Sequence, residues 1–194
     1  MKEIIIATKN PDKRKELKKL LRGLKIKVIS LEQYPRCPDV KEGTKSFWEN
    51  AIRKAMFVSK FTKSLALADD SGLETDALGG RPGVCSARFA GKRVTYAQNN
   101  QKLLKLLEKK KVKDRGAQFR CVVAICNYPK VIAVVEGKIR GRIALKPKGK
   151  SGFGYDPVFI IPRYQKTFAQ LGSRLKNKIS HRAKALARAK RLIV

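Results

Sequence analysis

Short apolar runs alternate with amphipathic stretches along the chain, and their spacing predicts the elements. Lys2–Thr8 reads as a buried strand, because Ile4, Ile5 and Ile6 are consecutive β-branched residues. Asn10 followed by Pro11 is a helix start, with Asn as cap and Pro at the first helical position. Leu17, Leu20 and Leu21 then share a face, which carries this helix to about Leu21. Ile26–Leu31 predicts a second strand, and a polar loop follows from Glu32 to Lys45. Ser46 to Glu49, "SFWE", matches a capping box, so a helix is expected over Phe47 to about Phe61. Leu65–Ala68 predicts a third strand that ends on Asp69 and Asp70.

The second half reads in the same way. Gly72 to Gly91 is loop-rich, and Thr95–Lys110 is a helix with Leu103, Leu106 and Leu107 inward. Phe119–Cys126 and Val131–Ile139 predict paired strands joined at "NYPK", followed by a strand at Val158–Ile161. Leu175–Ile193 predicts one strongly basic final helix. Strands and helices mix throughout, so the class is α/β, or α+β with a mixed sheet. No Gly/Ser/Pro linker divides the chain, and residues 1–194 are expected to form a single domain.

Composition narrows the function classes. Hydrophobic residues make up 43% of the chain, enough for a core and unlike a disordered protein. No apolar run approaches the roughly 20 residues that span a bilayer. The four-residue apolar run of "MKEIIIATKN", Ile4 to Ala7, is too short for a signal peptide, so a cytoplasmic protein is expected. Cys37, Cys85, Cys121 and Cys126 have no CxxC spacing and His181 is the sole histidine, which sets a zinc site aside. Buried reduced thiols are expected, in keeping with a reducing compartment.

The charge adds a further element. Lys and Arg number 46 against 15 Asp and Glu, for a formal +31. From Gly137 to Val194 there are sixteen basic residues and one acid, Asp156. Such a field favours polyanions: nucleic acid, an anionic membrane surface, or highly charged small substrates such as nucleotides. With 7% aromatics and no aromatic–basic interleaving, no base-stacking platform is evident, and a solvated basic surface is the simpler reading.

Five stretches carry candidate chemistry. "TKNPDK", Thr8 to Lys13, is a strand-to-helix turn whose free N–H groups suit phosphate, with Lys13 adding charge in the first turn. It lacks the glycines and GK[ST] ending of a P-loop, and taken alone a plain capped helix start is the simpler reading. Glu42 lies in the loop before the second helix, and Lys54 lies on that helix. "ADDSG" places Asp69 and Asp70 at a strand end, where paired carboxylates offer hard oxygen ligands for Mg²⁺ or simply an Asx turn. "SGFGYDP", Ser151 to Pro157, is a glycine-punctuated turn in which Phe153 or Tyr155 could stack on a base or pack into the core. Finally "KNKISHRAKA" sets Lys176, His181 and Arg182 as donors fit for base carbonyls, with Ser180 a possible cap.

In this order the five stretches resemble the inosine triphosphate pyrophosphatase family, the non-canonical purine nucleoside triphosphate pyrophosphatases. The resemblance runs from "ATKNPDKRKEL" to "ISHRAKAL" and includes "FWENA", "ADDSGLETDALGGRPGVCSARFAG" and "GFGYDPVF". It implies an elongated two-lobed fold with a central mixed sheet, a nucleotide cleft, and a homodimer. The implied reaction is Mg²⁺-dependent hydrolysis of the α–β phosphate bond of ITP, dITP and XTP, which cleans the nucleotide pool. On this resemblance Thr8, Lys9, Asn10, Pro11, Asp12 and Lys13 would hold phosphates, with Lys54 assisting. Glu42 and Asp70 would bind the metal, with Asp70 also the base for the attacking water, and Ser71 would contact substrate. Phe153, Gly154, Tyr155 and Asp156 would line the base and sugar pocket, while Lys176, His181 and Arg182 would recognise the base. A basic nucleic-acid-binding protein on this scaffold, or a pyrophosphatase for another modified nucleotide, is the alternative.

Three features depart from the family pattern. Arg174 and Leu175 precede Lys176 where an acidic pair is usual, Gln170 replaces a frequent glutamate, and Lys9 replaces a frequent glycine.

Overall fold

A computed structural model describes residues 3–193, apart from the side chain of Val112; Lys2, which the sequence reading includes in the first strand, lies outside the described residues. The strands are β1 (Glu3–Ile6), β2 (Lys27–Ser30), β3 (Leu65–Thr75), β4 (Gly116–Asn127), β5 (Lys130–Ile143), β6 (Phe159–Ile161) and β7 (Lys166–Thr167). The helices are α1 (Pro11–Leu20), α2 (Phe47–Thr62), α3 (Tyr96–Leu106), α4 (Phe168–Ile179) and α5 (His181–Ile193). The strands form one mixed sheet in the order β2-β1-β3-β4-β5-β6-β7. β1 runs parallel to both β2 and β3, with Ile5 opposite Ile29 on one side and Ala66 on the other. β6 pairs antiparallel with β5 and β7. This is the α/β class with a mixed sheet that the alternation of elements predicts.

Two compact units divide the chain. The first takes the residues up to Asp70, Cys121–Gly137, and those from Arg182 on; the second takes Ser71–Arg120 and Lys138–His181. In the first, α1 and α5 lay Leu17, Leu21, Leu186 and Ala189 on Ile4, Ile6, Leu67 and Val123 of the sheet. In the second, Leu73, Leu103, Leu107, Phe119, Phe159 and Phe168 form the core, with Phe119 and Phe159 ring centroids 4.6 Å apart. Burying each such side chain is worth roughly 1.5–3 kcal/mol, which is what holds each unit together.

Helix starts follow local chemistry. Asn10 Oδ1 accepts from Asp12 N at 2.9 Å and Lys13 N at 3.1 Å, and the Ser46 hydroxyl accepts from Trp48 N and Glu49 N. Thr95 with Gln98, and Thr167 with Gln170, make full capping boxes. Gln170 therefore performs the cap chemistry of the glutamate usual at its position.

Three expectations are corrected. β3 does not end at Ala68 but continues to Thr75, so Asp69 and Asp70 lie inside the strand. Their turn-forming tendency is overridden because cations and amides from other segments engage both carboxylates, as described below. The single final helix is instead α4 and α5, separated by Ser180 in extended conformation, with a break at Gly172 (φ 75°) inside α4. Leu106 is 46% exposed, because the buried face of α3 runs through Asn99, Asn100 and Leu103. The four cysteines are free, with Cys37, Cys121 and Cys126 buried and Cys85 partly so.

Candidate active site

The first unit assembles a charged constellation beyond the carboxyl end of β1 and around Asp69 and Asp70, midway along β3. The chain leaves β1 through Ala7, whose N–H reaches the Leu67 carbonyl at 2.7 Å, and turns at Thr8. Thr8 Oγ1 accepts from Asn10 N at 3.2 Å, and Asn10 then caps α1. Pro11 and Asp12 open the helix, while Lys13 extends to Asp69 Oδ2 at 3.3 Å. The half-exposed Lys9 is drawn to Asp39 at 2.8 Å. The turn thus presents a helix N-terminus, where partial positive charge and N–H groups suit phosphate.

Lys54 is the hub. Its Nζ lies 2.9 Å from Glu42 Oε1, 2.9 Å from Asp70 Oδ1 and 2.8 Å from the Asp69 carbonyl. Asn50, one turn earlier on α2 and buried, donates from Nδ2 to Asp70 Oδ2 at 3.2 Å and to the Gly43 carbonyl at 3.2 Å. Gly43 N returns a bond to Asn50 Oδ1 at 2.8 Å. Asn50 therefore fixes both the Glu42–Gly43 loop and the Asp70 carboxylate. It was not among the residues singled out from sequence, although its i, i+4 spacing from Lys54 put both on one helix face.

Burial pushes the Asp70 carboxyl above the usual Asp value; Lys54 and Lys13 pull it back without cancelling that effect. Burial acts most strongly on Lys54 too and lowers it, but Asp70, Glu42 and Asp69 together hold the ammonium above its ordinary value.

The neighbouring carboxylate has a different environment. Asp69 is fully buried, and its Oδ2 accepts from Arg182 Nε at 3.3 Å and Nη2 at 3.2 Å. Arg182 Nη1 bonds Glu16 Oε2 on α1. Burial alone would lower the Arg182 pKa, yet Asp69 and then Glu16 raise it overall. Arg182 is thus engaged in a buried ion-pair network that ties α5 to α1 and β3. Glu16 was also absent from the sequence reading, since nothing local marks a helix glutamate as the partner of an arginine 166 positions away.

The second unit holds Ser71, which follows Asp70 on β3, and the aromatic group. Phe153 N donates to Asp156 Oδ2 at 2.9 Å, and the same oxygen meets Lys176 Nζ at 2.5 Å. The Lys176 ammonium lies 4.5 Å from the Phe153 ring centroid. Gly152 (φ 81°) admits this turn, because a Cβ there would sit 2.1 Å from Asp156 Oδ2. Asn100 of α3 donates to the Gly154 carbonyl at 3.0 Å. Of the two aromatics offered for stacking, Tyr155 is enclosed in the core and donates its hydroxyl to the Ser86 carbonyl at 3.0 Å. Its ring is part of the packing, whereas Phe153 is partly exposed. His181 is buried and stacks on Phe119, with ring centroids 4.6 Å apart and planes 13° apart.

The Ham1 family profile matches residues 4–192. The dITP/XTP pyrophosphatase of Desulforamulus reducens is 48% identical over 191 residues, covering 98% of this chain and 95% of that protein. The dITP/XTP pyrophosphatase of Bacillus subtilis strain 168 is 46% identical over 193 residues, covering 100% and 98%. Among solved structures, a HAM1 protein from Coxiella burnetii superposes with a TM-score of 0.89 at 44% identity, covering 100% of this chain and 98% of that one. The Staphylococcus aureus Ham1 protein gives 0.87 at 38% identity, with 99% and 98% covered. Sequence and fold agree with the motifs, and the chain belongs to the Ham1 family.

Proposed function

We propose that the chain is a nucleoside triphosphate pyrophosphatase that hydrolyses the α–β phosphate bond of ITP, dITP and XTP to the monophosphate and pyrophosphate. The observation that carries this reading is the convergence of Glu42 and Asp70 on one cationic centre, each 2.9 Å from Lys54 Nζ, in the unit that also holds the Thr8–Lys13 helix start. The names of the two bacterial relatives, dITP/XTP pyrophosphatases at 46–48% identity, support the substrate class.

The residues fit Mg²⁺. Lys54 Nζ stands where a cation would meet both carboxylates, and hard carboxylate oxygens are the ligands Mg²⁺ takes. Among the described residues no group of three or more His, Cys, Asp or Glu is poised to hold a metal. Two carboxylates suffice for Mg²⁺ when water and phosphate oxygens complete its shell. Glu42 and Asp70 would hold the ion, which when bound offsets phosphate charge and polarises the bond to be broken.

The chain's own groups supply the rest. The Asn10-capped helix start and Lys13 bind phosphate oxygens, and Lys54 adds its charge. Asp70 takes the proton of the attacking water, with Asn50 fixing the direction of its carboxylate. Phe153 stacks on the base, while Asp156, Lys176 and His181 order the base-recognition groups of the second unit. Donors aimed at a 6-keto oxygen would be left unpaired by adenine, which selects against ATP. The resemblance extends the proposal to a homodimer working in the cytoplasm.

The test is pyrophosphate release from ITP, dITP, XTP, ATP and GTP with Mg²⁺. Release from the first three in clear preference to ATP and GTP is expected. Equal rates on all, or orthophosphate as the product, would overturn the reading.

A further inference from the structure

Few of the residues behind the +31 charge have a task in the reaction proposed above, and the first unit concentrates some of the others on one surface. α1 and α5, from Arg182 onward, lie side by side. Arg182 bonds Glu16 near the start of α5, and Lys190 Nζ donates to the Arg22 carbonyl at 3.0 Å near its end. Both helices set their apolar faces on the same core cluster, so their polar faces point outward together. Lys15, Lys18 and Lys19 of α1 and Lys184, Arg188 and Arg191 of α5 are all exposed.

The acids of the two helices are Asp12 and Glu16; α5 has none. Asp12 lies in the first turn of α1, beside the cap, and Glu16 is bound to Arg182. Lys15, Lys18, Lys19 and Arg191 have no ion-pair partner among the described residues. Packed helices lie about 8–10 Å apart, and cations at i, i+3 and i+4 repeat every ~5–6 Å along each. This spacing is comparable to that of phosphates along a nucleic-acid strand. A membrane surface fits less well, because an interfacial helix also inserts bulky apolar residues. On this face the exposed large hydrophobic residue is Leu192 alone among the described residues.

We propose that the outward face of α1 and α5 binds the phosphate backbone of nucleic acid without sequence preference. Lysine and arginine side chains neutralise phosphates and release condensed counterions, so the affinity is electrostatic and salt-dependent. The face is separate from the side chains assigned to the nucleotide, and its use would hold the enzyme near polynucleotide rather than alter turnover.

The experiment measures binding of a fluorescein-labelled 20-base-pair DNA duplex and a 20-nucleotide RNA by anisotropy across a salt series. One variant carries Lys15→Gln, Lys18→Gln, Lys19→Gln and Arg191→Gln. A second, with the same loss of charge elsewhere, carries Lys109→Gln, Lys111→Gln, Lys146→Gln and Lys150→Gln. Wild type and the second variant should bind at low salt, while the first loses affinity. For the duplex its log–log salt slope should be shallower by roughly 0.9 per contact removed. Both variants should retain pyrophosphate release from ITP. Equal loss of binding in the two variants would assign the effect to net charge and overturn the proposal. So would failure of wild type to bind either probe, or binding only to phosphatidylserine vesicles included as a third probe.

Discussion

Asp70 places one carboxylate oxygen 2.9 Å from the Lys54 ammonium in surroundings so dehydrated that its proton is still held more tightly than in water. Burial is the larger effect and the lysines offset only part of it. The folded-state pKa lies above the unfolded one, so the fold favours neutral Asp70. In metal-free protein this contribution is fully present below the unfolded pKa and is lost as pH rises through the folded pKa. Asp70→Asn, an uncharged isostere, should therefore be at least as stable as wild type at pH 7. Its urea-unfolding stability should also lose this component of the pH dependence. Pyrophosphate release should fall by roughly 10³-fold with Mg²⁺ present. A variant that is less stable at neutral pH, or that still turns over, contradicts the argument.

If Glu42 and Asp70 hold a cation as proposed, its binding would stabilise the fold by mass action. At Mg²⁺ about 100 times its Kd the gain is about 2.7 kcal/mol, read as a rise in Tm. Glu42→Gln and Asp70→Asn should each show little or none of this rise, and chelator should silence wild-type turnover. Equal Tm shifts in wild type and both variants would place the ion elsewhere.

Arg182 is buried with Asp69 and Glu16, and its removal takes the guanidinium from two carboxylates, leaving Asp69 with Lys13 at 3.3 Å. Arg182→Met should destabilise the protein by about 3–5 kcal/mol, the usual cost of leaving buried charge unpaired. Arg182→Lys keeps the charge but not the planar fork that reaches both acids, so it should fall between that variant and wild type. Urea unfolding checks the order. A lysine variant as stable as wild type would mean that charge alone, not fork geometry, holds the network.

How far the sequence anticipates this centre depends on the range of the signal. Asn10 as cap and Ile4 to Ile6 as strand are local chemistry, legible within a few residues. The extension of β3 through Asp69 and Asp70 is not, because "ADDSG" favours a turn until Lys54, Lys13 and Arg182 arrive from other segments. The difference between the two aspartates likewise depends on an arginine 113 positions away. Leu106 and the break at Ser180 are periodicity errors, where a continuous apolar spacing hides a change of face or of helix. Asn50 was legible in principle, as a polar residue on the buried face of an amphipathic helix, one turn before Lys54.

Phe153 and Tyr155 differ by two positions and by opposite environments, and that contrast makes a paired test. Phe153 is partly exposed, with the Lys176 ammonium 4.5 Å from its ring centroid. If it stacks on the base, Phe153→Ala removes roughly 1–3 kcal/mol of binding. KM for ITP should rise about 5- to 150-fold while kcat changes far less, since stacking acts in ground and transition states alike. Tyr155 is packed in the core with its hydroxyl on the Ser86 carbonyl. Tyr155→Phe should cost about 1 kcal/mol of stability by losing that bond and leave KM unchanged. The reverse pattern, a KM effect at Tyr155 and none at Phe153, would exchange their roles. Lys176→Met serves as the third arm: it leaves the buried Asp156 carboxylate without the ammonium 2.5 Å away. It should therefore lower stability as well as ITP affinity, whereas Phe153→Ala should lower affinity alone.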